Sequence, residues 1–151
     1  MTLSDTDLLA DLVAQKHRCL VQLHRLGQRQ LESIGASDLG LLLKLLAAKQ
    51  TLLHDLHQVQ RKLDPYRDQD PDVRPWRSNQ LRADCSAKIA ECKSLLTEIM
   101  QQELRSQEQL AVHRDEAAEM LQLGAAAGSV HSAYVQAHES VLGQLDLSVE
   151  M

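Results

Sequence analysis

From Ser78 to Leu123 the chain contains no glycine and no proline. That stretch predicts one helix of about 45 residues, roughly 68 Å long at 1.5 Å per residue. A helix of that length exceeds the ordinary globular range and points to a rod-like hairpin or bundle. Its apolar residues, Cys85, Ile89, Cys92, Leu96, Ile99, Leu110, Ala117 and Leu121, hold a helical phase for most of the distance. Around Glu103 to Gln107 the positions on that face are polar and leave a gap in it. Leu occurs 28 times, against 16 for Val, Ile and Thr together, so strong helix formers leave little material for a sheet.

Two further helices precede this one. The first is expected at 6–34, capped by Ser4 or Thr6, with Leu9, Leu12, Val13, Leu20, Leu23, Leu31 and Ile34 on one face. Gly35-Ala36-Ser37-Asp38 then reads either as a tight turn with a C-terminal glycine or as a kink. The second helix is expected at 38–63. Its stripe of Leu39, Leu42, Leu46, Leu53, Leu56 and Leu63 is widened by Leu41, Leu45, Leu52 and Val59. So broad a face suits two neighbours, as in a bundle, better than the narrow seam of a two-stranded coil. Leu53 and Leu56 are expected in the core. The prolines at 65, 71 and 75 make 64–77 a loop. The expected fold is all-α: an elongated antiparallel bundle or hairpin of three long helices over residues 1–123. A C-terminal tail at 124–151, mobile or short-helical, follows Gly124 and Gly128.

Several function classes are disfavoured. The net charge of −5 is spread over interleaved acids and bases, and aromatics make up 2%. Neither offers a footprint for nucleic acid. No apolar run approaches a membrane span and the N-terminus has no secretory pattern, so the expected setting is cytoplasmic. Three cysteines within helical stretches suit a reduced compartment. Nucleotide-loop, zincin and serine-hydrolase signatures are absent. His54 and His57 share a helix face but lack the further ligands that a structural zinc needs. Cys85 and Cys92, two turns apart, read as small buried hydrophobes rather than a redox pair. Arg74, Arg77 and Arg82 surround Trp76, which reads as a solvated loop whose Trp closes one end of the bundle. The expectation is a protein without catalytic residues, metal or cofactor.

The tail holds the candidate binding site. Residues 124–151 contain Glu139, Asp146 and Glu150 and no Lys or Arg. Val130, Tyr134, Val141 and Leu145 would share one face of a helix there, a stripe with no clear internal partner.

The order of these features resembles the flagellar export chaperones of the FlgN type, which serve hook–filament junction proteins. Three pieces carry the resemblance. The first is the Leu- and Lys-bearing helix Leu43-Lys44-Leu45-Leu46-Ala47-Ala48-Lys49 through Leu56, with a basic end at Arg61. The second is the proline loop followed by Trp76-Arg77, Leu81-Arg82 and Cys85. The third is Met120-Leu121-Gln122-Leu123-Gly124, a small-residue linker and Tyr134. The resemblance implies a cytosolic chaperone that pairs with the terminal helices of its clients, blocks premature assembly and delivers them to the export gate, without a cofactor. It also implies that Tyr134 is a functional tail residue. A coiled-coil oligomeric scaffold without a secretion client is the other reading of the same leucine faces, and homo-oligomers are compatible with both.

Overall fold

The computed structural model describes residues 2–67, 69 and 74–150, with side chains for these other than 127, 134 and 137–150. The described residues are almost all helical, with no strand among them, which fixes the class as all-α. It divides into two compact units, Met1–Gln109 and Leu110–Met151.

Three helices pack together in the first unit: α1 (Leu3–Gly35), α2 (Leu39–Leu63) and the first part of α3 (Asn79–Glu150). α1 starts earlier than Ser4 or Thr6 would place it. Thr2 is its cap, and Thr2 and Asp5 form a reciprocal capping box. The Thr2 backbone amide, donating to Asp5, holds that carboxyl below its usual range. Thr6 is instead buried and donates to the Thr2 carbonyl at 3.2 Å.

The α1–α2 connection is a turn rather than a kink. Ser37 N–H donates to Ile34 O and Asp38 N–H to Ser33 O, the paired bonds of a Schellman close. Its left-handed residue is Ser37, at φ 56°, while Gly35 stays helical. Asp38 then caps α2 by accepting from Leu41 N–H. α2 ends in a single 3-10 turn, Asp64–Tyr66, with Pro65 in its first positions.

Two clusters of apolar side chains hold the unit together. Leu20 and Leu23 of α1 meet Cys92 and Ile99 of α3, with Leu52 and Leu56 of α2 against them. Leu9, Val13 and Cys85 form the other, closed by Leu63, Tyr66 and Trp76. Leu20 and Leu23 are almost wholly out of water, worth about 2–3 kcal/mol each in transfer terms. The apolar face expected on α1 is thus the buried one. On α2 the stripe is divided: Leu42, Leu45 and Val59 are buried, whereas Leu53 is 43% exposed and lies outside the core. Leu56 packs on the first cluster.

The second unit is described by itself. Helical backbone continues through it to Glu150, past the end expected at 123. Gly124 and Gly128 cost about 1 kcal/mol each in a helix, but the alanines between them are the best helix formers available. Neither glycine has a neighbour within 4 Å of a built Cβ.

Candidate docking groove

The polar gap expected at Glu103–Gln107 is a packed layer. Gln102 and Ser106 are buried, and Gln102 Nε2 donates to the His24 carbonyl at 3.1 Å. Gly27 of α1 lets that amide approach, because a Cβ there would sit 2.1 Å from Gln102 Oε1. From α2, buried Lys49 donates to Gln30 Oε1 at 2.8 Å and is paired with Glu103 of α3. Burial pushes the Lys49 ammonium below the usual lysine range. This layer joins all three helices with charge-assisted bonds. Sequence reading missed it because Lys49 and Gln102 look like surface residues until both sit opposite α1.

The same contacts orient α2 and α3. His17 and His24 of α1 pair with Glu91 and Glu98 at 2.6 and 2.8 Å, so α1 lies on that side of α3. At 100° per residue, Ile89, Leu96, Met100 and Leu104 fall about 40–120° around α3 from Cys92, in the opposite direction. On α2, Leu45, Leu52 and Leu56 turn from Lys49 toward α1. Leu46, Leu53, Leu39 and Leu43 turn about 40–120° the other way.

Eight large apolar residues therefore line one side of the α2–α3 pair, the side α1 does not cover. Their exposure is graded. Leu46, Leu53, Ile89 and Leu96, nearest the seam, are 37–43% exposed. Leu39, Leu43, Met100 and Leu104, farther out, are 59–68% exposed. Together they give the α2–α3 pair one apolar side, half-covered near the seam and open farther out. Only Leu3 and Leu8 are exposed large apolar residues on α1.

At the end where α2 finishes and α3 begins, this apolar side adjoins a pocket of about 500 Å³. Ile89 and Leu96 belong to both. Gln60 and Leu63 form the α2 wall, and Lys16 reaches in from α1.

The residues singled out in the sequence fall in different places. Val130 is 70% exposed on α3 in the second unit. The side chains of Tyr134, Val141 and Leu145 lie outside the described residues. His54 and His57 are exposed, and among the described residues no three His, Cys, Asp or Glu side chains gather as a metal site. Cys85 and Cys92 are free thiols in separate clusters, pushed above the usual thiol range by burial. Trp76 packs on the Leu9–Val13–Cys85 cluster. Beside it, Arg77 pairs with Asp7 at 2.8 Å and Arg74 donates to the Tyr66 carbonyl at 2.7 Å. These arginines fasten the loop to the bundle. Among the described residues, no helix is long and apolar enough to cross a membrane. Comparisons with family models, characterised proteins and solved structures return no match.

Proposed function

We propose that this chain is a helix-binding chaperone of the flagellar export type, and that the open α2–α3 groove receives an amphipathic helix of its client. The observation that carries this reading is the concentration of eight exposed apolar side chains on one side of a bundle. A surface of that kind costs solubility unless something covers it, and a helix laid in a groove is the matching solution. The clients suggested by the resemblance are hook–filament junction proteins, whose terminal helices stay unpaired before assembly. The export gate is the receiving partner. Val130, Tyr134, Val141 and Leu145 are the proposed second contact, for client or gate. No catalytic step and no cofactor enter this reading.

The test is complementation of a flagellated bacterium that lacks its own chaperone of this type. The chain should restore secretion of the junction proteins, while Leu53→Asp with Met100→Asp should abolish it without lowering the melting temperature. Deleting residues 129–151 should leave the first unit folded and reduce secretion. Light scattering addresses the scaffold alternative: an oligomer that persists unchanged with client present would favour it.

A further inference from the structure

We propose that the helix received by the α2–α3 groove carries carboxylates at one end, and that this acidic end sits in the pocket where α2 finishes and α3 begins. The proposal rests on the groove reading and gives it a polarity.

Among the described residues, four cationic side chains line this pocket, Lys16, Arg67, Arg74 and Lys93, and no acidic one does. The chain as a whole carries −5, so the described lining of the pocket is opposite in sign to the protein's net charge. The four cations are unequally engaged. Arg67 is paired with Asp64 at 3.3 Å. Arg74 donates to the carbonyls of Tyr66 and Gln69, and its Nε is buried without a partner. Lys16 and Lys93 have no acidic partner among the described residues. Lys16 is half-buried against the apolar floor formed by Leu9, Val13 and Cys92. A carboxylate brought there would be partly desolvated with its cation, where pairing is stronger than on an open surface.

The rest of the groove restricts what kind of anion this is. Beyond Ile89 and Leu96 the floor continues as Leu53 and Leu46 between Met100 and Leu104. A nucleic acid needs cations along its whole track, and this groove has them at one end. A free phosphate would leave the apolar stretch uncovered. An amphipathic helix with apolar residues along one stripe and Asp or Glu at one end satisfies both parts. Placed in reverse, it would set its carboxylates over leucines and leave the lysines unanswered. Charge therefore selects direction as well as partner.

The experiment uses the full chain and three synthetic helical peptides that share one leucine stripe. Their terminal charged positions are Glu, Gln or Lys. Binding is read by fluorescence anisotropy at low and high salt. The Glu peptide should bind at least about tenfold more tightly than the Lys peptide, an advantage that salt reduces. Lys16→Gln with Lys93→Gln should remove the advantage while leaving the Gln peptide's affinity unchanged. Equal affinity for the Glu and Lys peptides would overturn the acidic-end proposal and leave the groove reading standing. So would a preference that survives the double lysine substitution. Failure of all three peptides to bind would overturn the groove reading itself. A concentration-dependent dimer that excludes the peptides and is lost in Leu53→Asp would overturn both, assigning the groove to a second copy.

Discussion

The two sides of the α2–α3 pair are built from the same residue types and meet opposite fates. Toward α1, Leu52, Leu56, Cys92 and Ile99 join a core that closes on Leu20 and Leu23, and Leu45 is buried. Away from α1, leucines at the same helical spacing, with Ile89 and Met100, face water. What separates them is the position of one neighbouring helix. Hydrophobic periodicity therefore reports that a face seeks cover. It does not report whether the cover is supplied by the same chain.

The sharpest way to break this comparison is to place one charge on each side. Leu23→Asp buries an unpaired carboxylate and should cost about 4 kcal/mol or more, enough to unfold the bundle. Leu53→Asp should change stability by about 0.5 kcal/mol or less, because its side of α2 is open. Urea denaturation followed by circular dichroism gives both values. Similar losses in the two variants would mean that the open side is covered in solution.

A smaller effect concerns the closeness of α1 to α3. Gly27→Ala improves helix propensity by about 1 kcal/mol, yet its methyl meets the hydrogen-bonded Gln102 amide. The expected outcome is a net loss of about 1–2 kcal/mol. Adding Gln102→Ala should recover part of it, a coupling visible in a double-mutant cycle. Additive losses would deny the contact.

The smallest effect is a pH slope confined to the covered side. Burial raises the Cys85 and Cys92 pKa values above the ordinary 9.0. The native state then holds its thiol protons where the unfolded chain has released them. This stabilising contribution is complete below pH 9 and is lost as pH rises through the native thiol values. The urea midpoint should fall in that range, and Cys85→Ala with Cys92→Ala should remove this part of the slope. A slope identical in both proteins would contradict the assignment.

Much of the architecture was legible in the sequence, for stated physical reasons. Uninterrupted helix formers announced α3 as far as Leu123, and the α1 stripe named Leu9, Leu12, Val13, Leu20, Leu23, Leu31 and Ile34, all buried except the half-buried Leu31. The width of the α2 face was legible too, but not which leucines α1 would reach, so Leu53 was expected inside. The polar layer was illegible because a lysine's burial depends on partners 19 and 54 residues away in the chain, Gln30 and Glu103. A turn over residues 35–38 was one of two readings the sequence allows, but its left-handed residue is Ser37 rather than the glycine at 35. For the candidate site, spacing identified the exposed leucines as members of a stripe. Only the packing of α1 showed that they form a groove.

The Lys49 layer has a consequence for tolerance to mutation. Leucine stripes are repetitive, and a shift of α3 by one turn, about 5.4 Å, would still set apolar residues against apolar residues. The same shift would carry Glu103 and Gln102 away from Lys49 and His24 and strand an ammonium in the interior. One ionic rivet thus turns several nearly equivalent alignments into a single one. Leucines around it are free to exchange for isoleucine or methionine without changing the architecture. Losing the one lysine changes how many architectures the chain can choose among.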